Sequence, residues 1–567
     1  MGEGPKAPES EGARGFCYRG KTLLSGADPL GRANRAADAA CAADGTLYLC
    51  PSPLLGHGLE RLLARMEGCP NSALLCVEAE PELFSLALDS LPSGLKADPR
   101  LRVTDAVRAG EICALARREW ESRVFRRVET VRLNGGWQLH RGLYGELERA
   151  LQSEIAVGWG NAVTMARLGR RYMRNAMRNL ALIPRNPSLG ALCFGGAPVL
   201  ALGAGPSLDG ALDALSARFG EGARHSAGRP FRIVCADTCL PILKARGMAP
   251  DLAVVLESQH WNLGDFVGLS GWDAPAAMDL SALPRSGGVL AGGLCLFFTP
   301  WTRLRIFGRL GASGLLPAAL PPLGSVGLSA VAIALRLTRG AVVAAGLDFS
   351  FSLDRFHARS SPGHGAALRG QNRFSGLLGA RAAFGAAVSP AASKDGGMAL
   401  TTPALRGYRD LFEREFASSP RLFDMAGGGL PLGVETLPRE AAFGLLSAPS
   451  AGSERAFPRR LGEGESAALA EKLAAFAQAE RGRLESLRDM LVGKAAIDGH
   501  ALDALIDECD YLWAHFPDCA ASGSRPQKAE LETGCASAVS FLKRLRVEID
   551  PFIGLLDGLA AQLPGRG

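Results

Sequence analysis

The chain reads as an α/β protein. A central Rossmann-like, mostly parallel sheet domain stands between a smaller N-terminal α/β domain and a C-terminal helical domain. Three observations predict this. Short apolar runs of strand length alternate with helix-like segments from about Ala197 to Gly433. Two glycine-punctuated corners, Leu202-Gly203-Ala204-Gly205-Pro206-Ser207-Leu208 and Gly324-Ser325-Val326-Gly327, stand where an apolar run gives way to a helical one. The end of the chain carries apolar residues at helical spacing.

At 567 residues the chain is too long for one core, and domain size implies roughly three or four units. A hydrophobic fraction of 47% with 21% charged residues is that of a folded soluble protein. The net charge of +6 is small for this length, and no run of five or six like charges reads as a nucleic-acid arm. The 13 cysteines contain no CxxC pair, so neither a zinc site nor a disulfide framework is expected, and reduced core thiols are. Met1–Arg14 is polar and lacks the apolar core of a signal peptide. No apolar stretch is long enough to span a bilayer, so the expected setting is cytoplasmic, without membrane or nucleic-acid partners.

In chain order, a disordered start is expected over 1–20 and an N-terminal α/β domain over 21–140. Strands at Thr46–Cys50 and Ala73–Val77 flank a helix at Leu59–Met66, which makes a βαβ beginning. Glu78 follows the second strand, where a dinucleotide or methyl-donor fold places a ribose-binding acid. The first corner, Pro51 to Gly56, has no glycine-rich phosphate turn, and a scaffold or protein-recognition role stands beside the ligand-binding one. A helical connector spans 141–195. Its helix runs from Leu143 to Leu182, with Arg170, Arg171, Arg174 and Arg178 on one broad face that fits either solvent or an anionic partner. Pro184 and Pro187 end it.

The catalytic domain is expected over 196–445. Its strands are Val199–Gly203, Phe231–Ala236, Leu252–Leu256 and Ala341–Ala345. Its helices are Ser207–Phe219, Leu240–Arg246 and Leu328–Leu337. Repeated βα units imply a largely parallel sheet covered on both faces, with ligands at the carboxyl ends of its strands. A linker over 446–464 then leads to a helical domain over 465–567, with helices at Asp503–Trp513 and Ala538–Leu545 after the first long one.

The candidate chemistry gathers at those strand ends. Gly203 and Gly205 allow a tight turn, Pro206 presets the first helical turn, and Ser207 offers a hydroxyl near exposed backbone N–H groups, which together favour a phosphate. The segment lacks the Lys-Ser/Thr of a Walker loop and the third glycine of the dinucleotide fingerprint. Gly324, Ser325 and Val326 form a second such corner. Asp237, Glu257 and Asp348 follow strands and are placed to hold ribose hydroxyls or acceptor groups, whereas Asp251, after Pro250, equally suits a turn. His357 follows Asp348 and is the candidate general base, with His364 and His260 as competitors.

Val199–Leu208, Ala236–Thr238, Gly247–Asp251, Glu257–Gln259, Gly324–Val326, Gly346–Asp348 and Phe356–Ala358 resemble, in order and spacing, the blocks of the motility accessory factor (Maf) flagellin glycosyltransferases and of the MptE-like hydroxymethylpterin diphosphokinases. Leu24–Pro29 also resembles the element preceding the first domain of Maf-like chains, so the likeness covers about 20–435. It departs in two places. Ala204 stands where a sialyltransferase-like loop often has Asn, and Glu257 where Maf-like chains usually have Asp.

The resemblance implies a core similar to bacterial sialyltransferases, using a CMP-activated nonulosonic acid with no obligatory metal or other cofactor. It implies nucleotide-sugar binding by Gly203, Gly205, Pro206, Ser207, Asp237, Glu257, Gly324, Ser325, Val326 and Asp348, with His357 taking the acceptor proton. The implied partners are the CMP-sugar and flagellin. Two alternatives stay open: a pyrophosphokinase using ATP, a pterin alcohol and Mg²⁺, and a non-enzymatic flagellar assembly factor on a degenerate transferase core.

Overall fold

The computed structural model describes residues 15–120, 125–225, 228–353, 355–374, 376, 385, 387–449, 460–493, 499–522 and 525–563. Most of the expected disordered start and the middle of the expected linker lie outside the described residues. Two compact units emerge: Met1–Arg170 with Leu512–Phe541, and Arg171–Tyr511 with Leu542–Gly567. The C-terminal helices are therefore not a domain of their own, as the sequence had implied, but are divided between the two units.

The first unit begins with a hairpin, β1 (Phe16–Tyr18) and β2 (Lys21–Leu24), so order starts inside the 1–20 stretch expected to lack it. Burial explains this: Phe16, Tyr18, Leu23 and Leu24 pack with Leu54 and Leu83. Four parallel strands follow, β3 (Thr46–Pro51), β4 (Ala73–Val77), β5 (Leu101–Thr104) and β6 (Arg127–Thr130), in the spatial order β5-β4-β3-β6. Alternate residues feed two cores. Tyr48, Cys50, Leu74 and Cys76 pack against Leu59, Leu62 and Leu63, while Leu47, Leu49, Leu75 and Val77 pack against Ile112, Leu147 and Leu151. Strands covered on both faces have to read as continuous apolar runs, which is how the inner β3 and β4 read, while the edge strands β5 and β6 carry Arg102, Arg127 and Glu129.

Glu78, the expected ribose acid, is buried and accepts the Ser52 hydroxyl at 2.5 Å. Burial raises its pKa. Ser52 and Leu54 take positive φ values of 54° and 46° in the turn after β3. Glu78 thus closes a strained turn of its own chain, in keeping with the scaffold reading.

In the second unit all eight strands of the main sheet are parallel. They are β7 (Val199–Leu202), β8 (Arg232–Ala236), β9 (Leu252–Val255), β10 (Ala276–Asp279), β11 (Leu294–Phe297), β12 (Val342–Ala345), then, beyond a small antiparallel hairpin β13 (Ser389–Ala392) and β14 (Met398–Thr401), β15 (Leu422–Met425) and β16 (Glu435–Leu437). The order is β11-β10-β9-β8-β7-β12-β15-β16. Val199, Ala201, Val234, Leu252, Val254, Val342 and Ala344 turn one face toward Leu328, Val331 and Ile333 of the helix Val326–Leu337. The helix Leu208–Phe219 instead packs with Arg439–Leu446, Phe219 meeting Phe443 edge-on at 5.8 Å.

A helix α1 (Arg141–Asn179) carries the chain from the first unit into the second, close to the Leu143–Leu182 expected. Its arginine face is partly consumed within the chain: Arg170 Nε donates to His515, and Arg174 pairs with Glu548. The last helix runs from Ala536 to Gln562 with Pro551 inside it, far past the expected Ala538–Leu545. Buried Leu545, Ile549, Phe552 and Leu556 recur along it, and their packing outweighs the hydrogen bond that proline removes. Among the described residues, no helix is long and apolar enough to cross a membrane.

Candidate functional site

Successive strands run outward from β7 to β11, and the chain then returns to place β12 on the other side of β7. The carboxyl ends of β7 and β12 therefore flank the point where the winding reverses, the place where doubly wound sheets open a ligand crevice. β7 ends in Gly203–Ser207 and leads into α2 (Leu208–Phe219). β12 ends in Gly346–Asp348.

These two ends lie against each other. Gly205 N–H donates to Gly346 O at 2.8 Å. A Cβ at 203 would lie 2.7 Å from Gly346 O, and one at 205 would lie 2.6 Å from the Asp348 carboxylate. Both glycines are thus required by the contact between strand ends, where the sequence had implied close approach of a phosphate. Pro206 and Ser207 precede α2, with Ser207 at its N-cap. The Ser207 N–H donates to Asp348 Oδ2 at 2.8 Å and its hydroxyl to Oδ1 at 2.5 Å. An anion does sit at this helix start, but it is Asp348, a residue of the chain itself. That corrects the expected roles of both: Ser207 is engaged by Asp348, and Asp348 caps a helix instead of facing a ribose. Burial lifts the Asp348 pKa to about 6, against the Ser207 bonds and nearby Lys394.

The second corner is the open one. Gly324 is exposed at φ 64°, Ser325 is the N-cap of α3 (Val326–Leu337) without a side-chain cap bond, and Val326 begins the helix. A Cβ on Gly324 would lie 3.6 Å from the Tyr408 ring. Glu257 helps raise the pKa of Tyr408, after burial, and that of Tyr172, which burial first and Glu257 second push to about 12. Tyr172 packs on Trp301 at 5.2 Å, and among the described residues the buried Trp301 Nε1 and Thr299 Oγ1 have no hydrogen-bond partner. The Tyr408 ring and a bare helix start thus meet at this corner, and the Glu257 charge acts on both Tyr408 and Tyr172. Asn175 and Asn179 pin the end of α1 beside them, with amide bonds to the carbonyls of Ser258, Leu280, Ser281 and Ala282.

Asp237 departs from its expected role as a nucleotide contact. It is enclosed, 1% exposed, and takes hydrogen bonds from Asn262 Nδ2 at 2.7 Å and Thr238 N–H at 2.9 Å. Asp265, half-buried, lies within 3.4 Å of both Thr238 Oγ1 and Asn262 Nδ2. Burial, then the charge of Asp265, raise the Asp237 pKa to about 7, and burial raises that of Asp265 to about 6. Glu257 closes a turn onto Gln259 N–H at 2.8 Å. Asp251 pairs with the buried Arg229 at 2.6 Å and takes the Ile233 N–H at 2.7 Å, so it ties β9 to its neighbour strand. Among the described residues, no three His, Cys, Asp or Glu side chains are placed to hold a metal ion.

The raised Asp237 pKa has a sign for stability. The folded chain binds more protons than the unfolded one between the ordinary carboxylate range and about pH 7. Stability therefore falls as pH rises through that window. Asp237→Asn is expected to flatten this part of the profile, read as urea unfolding between about pH 5 and about pH 8. An undiminished slope would contradict the assignment.

His357 meets the expectation made of it in position. Ala358 N–H donates to Ala204 O at 2.9 Å, which holds the histidine beside the β7 corner, and Phe356 stacks on Phe351 at 4.3 Å. Its imidazole keeps solvent access and makes no hydrogen bond among the described residues, and the surrounding atoms lower its pKa by desolvation. The loop is clamped by a residue the sequence did not point out. Asp209, buried in the first turn of α2, takes Arg355 Nη1 at 2.6 Å, Arg359 N–H at 3.1 Å and Arg246 Nη2 at 2.7 Å. Burial works to raise its pKa, but these partners outweigh it and leave the carboxyl below the ordinary range. His364 lies in a separate helix capped by Ser361, and His260 stacks on Trp261 at 3.9 Å.

Asp209, Asp265, Tyr172, Tyr408 and Lys394 were all missed. The only signal for Asp209 was its place two residues after Ser207. The others come from distant segments.

The family described as "6-hydroxymethylpterin diphosphokinase MptE-like" matches residues 171–354, which contain β7 to β12. An uncharacterised protein of Treponema pallidum (strain Nichols) is 29% identical over 539 residues, 91% of this chain and 89% of that one. The solved Maf glycosyltransferase of Magnetospirillum magneticum AMB-1 superposes with a TM-score of 0.53 at 13% identity, over 97% of this chain and 90% of that one. The resemblance read from the sequence therefore holds at two levels: the central segment is MptE-like, and the chain along nearly its whole length has the fold of a Maf glycosyltransferase.

Proposed function

We propose that the protein is a glycosyltransferase that moves a nonulosonic acid, of pseudaminic or legionaminic type, from its CMP donor to Ser or Thr hydroxyls of flagellin. The observation that carries this is His357, its imidazole without a hydrogen bond among the described residues, held beside the β7 corner by the Ala358–Ala204 bond. In the transfer the bond from the sugar's anomeric carbon to the CMP phosphate breaks and a bond to the acceptor oxygen forms. His357 takes the acceptor proton, and CMP leaves with the electron pair. With His357 as the base, the reading is a single displacement with inversion.

With the α2 start filled by Asp348, the donor's anionic groups fall to Gly324, Ser325 and Val326 at the α3 start, beside the Tyr408 ring. The reading requires no cofactor, sets the reaction in the cytoplasm, and takes flagellin and the CMP-sugar as partners.

A second reading rests on the match of residues 171–354: diphosphate transfer from ATP to a pterin alcohol. It needs Mg²⁺, which would arrive with the nucleotide phosphates and lean on the Asp265 and Glu257 carboxylates. Calorimetric titration with CMP and with ATP, each with and without Mg²⁺, separates the two. Metal-independent CMP binding weakened by Ser325→Ala is expected. Preferential Mg-ATP binding would overturn the sugar-transfer reading. Binding of neither would leave a non-enzymatic assembly factor.

A further inference from the structure

The second unit holds a cavity of about 780 Å³ at the amino end of β11, the edge strand of the sheet. The crevice opens at the strands' carboxyl ends, so the two lie at opposite ends of the sheet. Arg185 and Asn186 line the cavity on one side, Leu290 and Leu294 form its apolar wall, and Arg460 and Ser466 complete it. Its volume is that of a small-molecule site.

Its charge is one-sided. Among the described residues, two arginines line it and no carboxylate does. Among the described residues neither arginine is paired with an acid. Arg185 is instead fixed by a 2.7 Å bond from Nη2 to the carbonyl of Gln562. Ser466 belongs to the first turn of α4 (Glu463–Leu491), a helix of 29 residues whose N-cap, Gly462, supplies no side-chain cap. The Ser466 N–H is taken by Gly462 O at 2.9 Å, so it is the helix dipole that adds to the positive end of the cavity. Glu463 and Glu465, in the same turn, are exposed and do not line it. Guanidiniums match the oxygens of a phosphoryl group in pairs, while Leu290 and Leu294 suit the less polar body of a small molecule. Among the described residues, none that line it is a histidine, cysteine or acid.

We propose that this cavity is a second ligand site, separate from the crevice, for a phosphorylated small molecule. It stands independently of the transfer reaction. The test is calorimetric titration of the full chain with ribose 5-phosphate, and with ribose as the uncharged probe. Saturable binding of the phosphate ester alone is expected, weakened about tenfold or more in the Arg185→Gln/Arg460→Gln variant and partly restored by lysine at the same positions. Leu290→Trp, which intrudes on the apolar wall and keeps both arginines, is expected to weaken it. Absence of saturable binding up to about 10 mM would overturn the proposal. So would equal affinity in the double glutamine variant, since binding would then lie elsewhere.

Discussion

Replacing His357 with alanine is expected to lower the transfer rate by about 10²–10⁴-fold with little change in donor KM, since a general base acts on the acceptor proton in the transition state. The loop that carries it is clamped by Asp209 through Arg355 and Arg359, and by Ala204 through Ala358, so truncating one side chain leaves its position built. The pH profile carries a second signature. The working form is neutral imidazole, and desolvation lowers its pKa below the ordinary 6.5. Activity should therefore persist below that pH and fall away only as the imidazole protonates. Initial rates across pH, for wild type and His357→Ala, check both points. An alanine variant with full activity would remove His357 from the mechanism.

Replacing Lys394 with methionine is expected to destabilise the second unit by roughly 3–5 kcal/mol, as read from guanidinium unfolding. Lys394 Nζ lies 2.8 and 2.7 Å from the two oxygens of Asp424, and the two side chains are 4% and 0% exposed. One ammonium here serves two buried carboxylates, because its charge also lowers the pKa of Asp348. Methionine keeps the volume and leaves Asp424 charged and unpaired. Burial already raises the Asp424 pKa and Lys394 holds it down. In the variant this carboxyl should protonate more readily, and the loss should shrink as pH falls. The Lys394→Met/Asp424→Leu pair is expected to recover most of the stability. A loss below about 1 kcal/mol would mean that the pair is solvated like a surface ion pair.

Local patterning announced a great deal of this protein. Strands buried on both faces must be apolar throughout, so β3, β4, β7, β8, β9 and β12 were legible within a residue or two, and the two glycine corners marked where β7 hands over to α2 and where α3 begins. The order of blocks along the chain also carried the likeness to Maf and MptE-like proteins, because sequence order survives where identity has decayed.

What the sequence alone could not decide was which groups face one another. The Gly203–Ser207 corner and Asp348 are 141 residues apart for the Ser207 pair, and only the β7–β12 pairing reveals that the helix start expected to hold a phosphate already holds a carboxylate. Tyr172, on the end of α1, and Tyr408, far along the chain, become neighbours of Glu257 only through packing. The division of the C-terminal helices between two units is of the same kind. Periodicity records which face of an element is apolar, a property of the element by itself. Capping, charge pairing and the choice of packing partner depend on distances between remote segments, which only the tertiary structure sets.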